Sequence, residues 1–212
     1  MSARFPGYDV LAKRHSPSWN EKTRQVIDQR LALPREPRFL SPEEWRTLGS
    51  ICDRIMPQPA DRPPVPLVAM VDAKLYQNHG DGHCDYRLPP LREAWQRGLR
   101  GIETEAQRRH NVGFAELDGA EQDALLRAVQ HGGVPGAWEG MSPRLFFAKR
   151  LLVDIATQYY AHPTAWNEIG FGGPASPRGY VRLDFDRRDP WEAAAAKPGE
   201  ETTARRDNAR VG

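Results

Sequence analysis

Apolar residues recur at helical spacing in five long segments, and no segment alternates between apolar and polar positions as a half-buried strand would. The clearest segment opens with Ser41-Pro42-Glu43-Glu44, which has serine at the N-cap, proline at N1 and glutamate at N3 of a capping box. Asp118 and Ser142-Pro143 open two further helices with similar signals. The pattern predicts an all-α fold, a bundle of about five or six helices.

The last helix of the bundle begins at Ser142-Pro143 and runs to Pro163. An uninterrupted α-helical period predicts that six of its residues share one face and point into the core. These residues are Leu145, Phe146, Leu152, Val153, Ala156 and Tyr160. The same period leaves Phe147 and Tyr159 on the other side of the helix.

Residues 1–38 precede the bundle, whose helical domain is predicted to span residues 39–165. This N-terminal arm carries one amphipathic helix, for which Ser18 is the expected N-cap. A single amphipathic helix outside the main body docks either on its own chain or on a partner, and the sequence leaves both alternatives open.

Beyond residue 165 the chain becomes rich in glycine and proline yet keeps large aromatic side chains. A flexible linker has little use for such rings, because it buries nothing. Residues 166–190 are therefore predicted to form an extended docking segment, which wraps over a surface of this chain or of another protein. Residues 191–212 are polar, charged and rich in alanine, and are predicted to be a disordered tail.

The composition limits the classes of partner. The 212 residues carry 30 basic and 28 acidic side chains, a net charge of +2, which argues against a large nucleic-acid-binding surface. No run reaches the ~20 apolar residues of a membrane span, and the N-terminus has neither the apolar stretch of a secretory signal nor a twin-arginine signal. Taken alone, the chain is expected to be cytoplasmic, or periplasmic if a partner that carries a signal exports it.

One loop contains several metal-ligand residue types: His79, His83, Cys84 and Asp85. The competing interpretation is a polar loop in which these residue types occur together by chance. It is supported by the lack of a second ligand cluster nearby in sequence. The only two cysteines, Cys52 and Cys84, form no disulfide framework, although a single bridge between them stays open. Cys52 lies on the apolar face of its helix and is expected to be a small buried hydrophobe.

The residues that would make an enzyme are mostly missing. The glycines at 170–173 follow a helix, not a strand, so they do not form a nucleotide-binding loop. His162 and Glu168 lie on opposite sides of Pro163 and could form an acid–base or metal-binding pair. The favoured interpretation is structural: His162 terminates a helix, and Glu168 forms an ion pair with an arginine. No catalytic, cofactor-binding or metal residue is therefore assigned, and the pattern favours an interaction subunit.

Several motifs, in order, resemble those of the gluconate 2-dehydrogenase subunit 3 family, over roughly residues 39–180. The motifs are Phe39-Leu40-Ser41-Pro42-Glu43-Glu44-Trp45, Ile51-Cys52-Asp53-Arg54-Ile55-Met56-Pro57, Val71-Asp72, Gly98-Leu99, Phe146-Phe147, Tyr159-Tyr160-Ala161-His162-Pro163 and Glu168-Ile169-Gly170-Phe171-Gly172-Gly173-Pro174. The chain departs from many family members in beginning with the 38-residue arm and not with a twin-arginine signal.

The resemblance implies a non-catalytic small subunit without a cofactor of its own. Its partner would be a large FAD-dependent dehydrogenase of the glucose–methanol–choline type, which oxidises sugars, sugar acids or alcohols and often passes electrons to a cytochrome c subunit. The small subunit would support the folding, stability or export of the large one. The alternative is an independent small metal-binding protein or enzyme that uses the loop from His79 to Asp85.

Buried aromatic side chains are the usual anchors of a protein interface. If the chain is such a subunit, its aromatic residues outside the predicted core are expected to contact the partner. The predicted interface residues are Tyr8, Trp19, Tyr160, Trp166, Phe171 and Tyr180. A third interpretation is that these aromatics pack on the chain itself.

Overall fold

The computed structural model describes residues 4–60, 62–78, 80, 82, 85–135, 138–174 and 188–211. Those residues form nine α-helices, and none of them lies in a strand, so the predicted all-α fold is confirmed. The helices are α1 (Glu21–Leu31), α2 (Pro42–Ile55), α3 (Leu67–Gln77), α4 (Leu91–His110), α5 (Gly119–His131), α6 (Pro143–Phe146), α7 (Leu152–Ala161), α8 (Pro163–Ile169) and α9 (Glu201–Asn208). A 3-10 helix spans Val10–His15, and a π-helical turn spans Phe147–Leu151.

The chain divides into two compact units. The helical unit comprises Pro34–Arg62 and Pro66–Gln158, and the terminal unit comprises Met1–Leu33, Pro63–Val65 and Tyr159–Gly212. The predicted boundaries at residues 38/39 and 165/166 stay predictions. The arm and the C-terminal segments, which the sequence separates into three regions, belong to one unit, since none of them alone has enough apolar surface for a core.

Three helices of the helical unit, α2, α5 and α6, begin where their capping residues predict. The Ser41 hydroxyl accepts a hydrogen bond from the Glu44 backbone N–H (3.2 Å), and the Glu44 carboxylate accepts one from the Ser41 N–H (2.9 Å). Asp118 and Glu121 form the same reciprocal pair at the start of α5, with distances of 2.8 and 3.2 Å. Each capping box satisfies two backbone N–H groups that a helix N-terminus otherwise leaves unpaired.

Large apolar side chains from all its helices fill the core of the helical unit. The most deeply buried are Leu48, Ile51, Leu75, Trp95, Leu99, Ile102, Phe114, Leu125, Phe146, Leu151 and Ile155. Two glycines of α4 let aromatic rings approach its backbone. A methyl group at Gly98 would overlap the ring of Phe146, and one at Gly101 would lie 2.8 Å from Cδ2 of Trp138.

The predicted inward face of the last bundle helix is wrong in its second half. Leu152, Val153 and Tyr160 are 41, 42 and 44 % exposed, while Ile155 and Tyr159 are buried. The cause is the π-helical turn between α6 and α7, which holds one more residue than an α-turn and rotates all later residues about the helix axis. Burial therefore follows a four-residue repeat: Phe147, Leu151, Ile155 and Tyr159.

The terminal unit has its own core. Its buried members are Tyr8, Val10, Trp19, Ile27, Trp166 and Val211, with Phe5, Leu11, Phe171, Trp191 and Ala193 packed around them. Its first helix, α1, is capped by Asn20, whose side chain accepts a hydrogen bond from the Thr23 N–H (2.9 Å), and not by the predicted Ser18, which is buried.

The predicted disordered tail contains a packed helix. In α9 and just beyond it, Ala204, Asn208 and Val211 are at most 5 % exposed. The Asn208 amide group donates to the carbonyls of Pro6 (2.9 Å) and Ala194 (3.0 Å) and accepts from the Ala194 N–H (2.7 Å). Composition suggested disorder because the tail has few apolar residues. The Asn208 side chain, however, bonds α9 to the N-terminal arm at Pro6 and to the beginning of the tail at Ala194.

Candidate functional site

Most of the aromatic residues predicted for an interface meet inside the terminal unit. The Trp19 indole N–H donates to the Gly172 carbonyl (3.0 Å), and the Trp166 indole N–H donates to the Tyr160 carbonyl (2.6 Å). The Trp166 and Phe171 rings pack edge to face with centroids 5.4 Å apart. Both indoles therefore have the hydrogen-bond partner that a buried tryptophan needs. We use the name aromatic clasp for the four aromatic residues Tyr8, Trp19, Trp166 and Phe171, together with Lys13, whose amine lies over the Trp19 ring.

The backbone of residues 170–173, which we call the glycine run, lies directly against these rings. Gly173 has a φ of +73°, and a methyl group there would lie 2.9 Å from Cζ3 of Trp166 and 3.1 Å from Cζ2 of Trp19. Only glycine suits a position that combines a left-handed backbone with so close an approach. The glycines that sequence reasoning assigned to a docking segment thus allow contact with the chain's own tryptophans.

The segment predicted to be extended begins as a helix. Trp166 lies in α8, which starts after His162 and ends at Gly170, where φ is +66°. The Val10 N–H donates to the Asn167 side chain (2.8 Å), so α8 also holds the 3-10 helix of the arm. The sequence missed α8 because Pro163 reads as a helix stop, whereas here proline occupies the first helical position.

Exposure separates the predicted interface residues into three groups. Tyr8, Trp19 and Trp166 are 5, 2 and 2 % exposed, whereas Tyr160 is 44 % exposed and Phe171 is partly buried. Tyr180 lies outside the described residues. A role for any of them in binding a partner stays a prediction, and among the described members of the set Tyr160 is the most exposed.

Apolar side chains on the outer face of α7 were not among the predicted interface residues. Leu152 and Val153 are neighbours at the start of this helix, and both are more than 40 % exposed. Exposed apolar side chains that adjoin on one helix face are typical of interaction surfaces when they form a patch. The sequence could not reveal this face, because the π-helical turn that exposes it leaves no recognisable residue pattern.

The helical unit also contains a groove of about 440 Å³ between the start of α2 and the segment after α4. Its lining includes four glutamates, Glu43, Glu44, Glu103 and Glu116. Three of them are already engaged in local structure. Glu44 and Glu116 accept from the N–H of a helix N-cap, and Glu103 accepts from the Thr47 hydroxyl (3.1 Å).

Two charge networks lie in the core of the helical unit. The Asp154 carboxylate, which is 0 % exposed, accepts from the Lys74 ammonium (2.8 Å) and from the Trp95 indole N–H (2.7 Å). The Asp72 carboxylate is 1 % exposed and accepts from the backbone N–H groups of residues 38, 39 and 40 at 2.9, 3.0 and 2.9 Å. Both networks hold elements together, which gives a structural reason for the Val71-Asp72 motif.

The candidate metal loop is only partly visible, because His79, His83 and Cys84 lie outside the described residues. Its remaining member, Asp85, forms an ion pair with Arg87 (2.6 Å), which holds the pKa of that carboxyl far below its usual range. Within the described ranges, no three His, Cys, Asp or Glu side chains are placed to hold a metal ion. Cys52 is a free buried thiol, and burial raises its pKa.

The His162 and Glu168 side chains each take part in the local structure of the terminal unit. The His162 ring accepts a hydrogen bond from the Thr164 N–H (3.2 Å) and thereby caps α8. The Glu168 carboxylate accepts from the Tyr159 hydroxyl. The His162 contact agrees with its predicted place at a helix boundary, whereas the ion pair expected for Glu168 stays a prediction. In the described part of the chain, no helix is both long and apolar enough to cross a membrane.

Comparison with known proteins returned one finding. A family model described as Gluconate 2-dehydrogenase subunit 3 matches residues 42–173, which run from the first turn of α2 to the glycine run after α8. A search of curated proteins and a search of solved structures gave no match.

Proposed function

The chain belongs to the Gluconate 2-dehydrogenase subunit 3 family, and from that premise we propose that it is the non-catalytic small subunit of a multi-subunit FAD-dependent dehydrogenase. The large subunit is of the glucose–methanol–choline type, binds FAD and oxidises a sugar, a sugar acid or another alcohol. The small subunit holds no cofactor and supports the folding, stability or export of the large one. The observation that carries the proposal is the family match over 132 of the 212 residues.

The exposed positions of α7 give the proposed subunit a surface with which to bind. Leu152 and Val153 of the helical unit would bury apolar area in an interface, and each Å² that is buried contributes roughly 25 cal/mol. Hydrophobic side chains at the centre of an interface, with aromatic anchors beside them, supply most of its affinity. We infer that α7 contacts the large subunit in the assembled enzyme.

Electron transfer and location follow from the partner in this proposal. Electrons leave the FAD of the large subunit and pass to an acceptor, for which a cytochrome c subunit is the expected candidate. The complex is either cytoplasmic or exported to the periplasm by a signal on the large subunit.

Co-expression tests the proposal. The chain is co-expressed with the large flavoprotein of the dehydrogenase, and an affinity tag on this chain is used for pull-down, followed by size exclusion with absorbance at flavin wavelengths. Co-elution of flavin with both chains, and dehydrogenase activity that depends on both, is the expected result. If the flavoprotein is soluble and active alone and this chain elutes without it, the subunit role is wrong.

A pair of variants tests the contribution of α7. The double variant Leu152→Ser, Val153→Ser is expected to weaken co-elution while leaving the chain folded. Val112→Ser is the matched control, because Val112 is similarly exposed (37 %) but lies in the loop after α4. Equal co-elution of both variants would remove α7 from the interface without deciding the subunit role.

A further inference from the structure

Lys13 of the aromatic clasp is buried in an apolar environment. Its side chain is 2 % exposed, and Nζ lies 5.8 Å from the centroid of the Trp19 ring. A methyl group at Gly172 would lie 2.7 Å from Nζ, so the amine points at the backbone of the glycine run. An ammonium that is removed from water in this way loses hydration that one aromatic ring only partly replaces.

A second buried polar atom lies beside it. The Tyr8 hydroxyl has no hydrogen-bond partner within the described part of the chain, and it lies 3.9 Å from the same point above Gly172. The Glu192 carboxylate acts electrostatically on both Lys13 and Tyr8, and Asp9 acts on Tyr8. Among the described residues, Glu192 is the titratable group whose charge acts on the buried amine.

Burial dominates the titration of both groups. Loss of hydration lowers the pKa of Lys13 from 10.5 to about 8, although attraction by Glu192 opposes the shift. Loss of hydration, together with the charges of Asp9 and Glu192, raises the pKa of Tyr8 from 10.0 to about 12. The closed clasp therefore favours the neutral form of each side chain.

We propose that Lys13 makes the aromatic clasp pH-dependent, so that the N-terminal arm separates more readily from the glycine run while the amine is charged. The neutral amine lets the arm pack firmly. The geometry that supports this is the burial of the amine between the Trp19 ring and the Gly172 backbone, with the unpaired Tyr8 hydroxyl alongside.

The direction of the pH dependence follows from proton uptake. Between about pH 8 and 10.5, the opened arm binds a proton on Lys13 that the closed arm does not, so closure becomes more favourable as the pH rises. Below about pH 8 both states carry the proton, and the destabilisation is complete. Above pH 10 the opened Tyr8 loses a proton that the closed Tyr8 keeps, so closure weakens again. The clasp is thus most stable near pH 10.

Opening the clasp would uncover Tyr8, Trp19 and Trp166, which are now at most 5 % exposed. At neutral pH the charged amine therefore lowers the free energy needed to present these rings to another surface. That consequence rests on the proposed subunit function, whereas the pH dependence itself belongs to the isolated chain.

Fluorine NMR of the full chain labelled with 5-fluorotryptophan measures the opening. The Trp19 and Trp166 resonances are assigned by substitution, and their urea transitions are followed from pH 7 to pH 10. The equilibrium constant for opening is expected to fall on the order of twentyfold between pH 8 and pH 10, from the two pKa shifts combined. A constant that does not change over this range would overturn the proposal.

Two variants identify the titrating group. Lys13→Met is expected to remain closed at pH 7 and to lose the rise in stability between pH 8 and pH 10. Lys22→Met is the matched control, because Lys22 is an exposed lysine of α1 in the same unit, and it should behave as the unmodified chain. If Lys13→Met keeps the full pH dependence, another group is responsible and the proposal is wrong. No partner is present, so this outcome is independent of the subunit role.

Discussion

Removing either charge of the Lys74–Asp154 pair is expected to destabilise the helical unit strongly. The two groups are 2.8 Å apart and at most 9 % exposed. At an effective dielectric constant of 20 their attraction is about 6 kcal/mol, and the loss of hydration of both ions offsets much of it. Breaking a buried ion pair by removing one of its partners costs about 3–5 kcal/mol.

A double-mutant cycle distinguishes the interaction energy of the Lys74–Asp154 pair from the contacts that each side chain makes with its surroundings. Lys74→Met and Asp154→Asn should each cost about 3–5 kcal/mol, but the combined variant should cost no more than either alone, because no buried charge remains. The amide oxygen introduced by Asp154→Asn would still accept from the Trp95 indole, so that hydrogen bond is not lost. The expected coupling energy is at least about 2 kcal/mol.

Urea denaturation followed by far-UV circular dichroism gives the free energy of unfolding, and the fluorine NMR resonance of Trp95, in chain labelled with 5-fluorotryptophan, identifies the transition of the helical unit. Lys149→Met is the control, since Lys149 is exposed in the same unit, and it should lie within about 0.5 kcal/mol of the unmodified chain. Single variants that cost less than about 1 kcal/mol, or effects that add without coupling, would refute the reasoning.

Three further predictions concern packing in the helical unit, and urea denaturation checks each of them. Gly98→Ala should destabilise the helical unit by about 1–3 kcal/mol, because the added methyl group overlaps a buried ring. Gly49→Ala is the control: its methyl group would have its nearest neighbour at 4.0 Å, so it should stabilise α2 by about 0.5–1 kcal/mol. Equal effects of the two substitutions would contradict the close approach at Gly98. Asp72→Ala should cost about 1–3 kcal/mol and speed amide exchange in the segment before α2, because three backbone N–H groups, those of residues 38, 39 and 40, lose their acceptor. Unchanged exchange would contradict the role of Asp72 in holding this segment. Leu151→Ala should cost about 2–5 kcal/mol, because the Leu151 side chain is 0 % exposed. Leu152→Ala should cost less than about 1 kcal/mol, because Leu152 is 41 % exposed. A larger cost for Leu152→Ala than for Leu151→Ala would place the π-helical turn elsewhere.

Helix starts in the helical unit were predictable because they depend on local chemistry. A capping box needs only a serine or aspartate and a glutamate three residues later, and both Ser41 and Asp118 form theirs as expected. The family resemblance was equally accessible, since it rests on short motifs whose order is read directly from the sequence. The family match over residues 42–173 confirms it.

The register of α7 was not predictable, because it depends on a single wide turn. Nothing in Phe147–Leu151 distinguishes a π-helical turn from an α-helical one, yet the turn decides whether Leu152 or Leu151 is buried. An error of one residue in register turns the core face of a helix by about 100° around its axis. The candidate binding surface on α7 thus appears only once the three-dimensional packing is known.

Long-range contacts account for the other differences. Asn208 is bonded to Pro6, 202 residues away, and Trp19 to Gly172, 153 residues away. No local pattern reveals such partners, so the arm, the glycine run and the tail were interpreted as separate segments. The burial of Lys13 was hidden for the same reason, because a lysine in a short polar stretch is expected to lie in water.

The aromatic rings of the terminal unit can either pack inside the unit or contact a partner, but the same apolar surface cannot do both at once. Burying Trp19 and Trp166 inside the unit stabilises it by about 2–3 kcal/mol for each side chain, and the two indole hydrogen bonds add to that. A partner that used these rings as anchors would first have to supply that free energy by opening the clasp. Leu152, Val153 and Tyr160 are already exposed and carry no such cost. A partner should therefore bind α7 first and engage the tryptophans only where its own contacts, or a charged Lys13, offset the cost of opening.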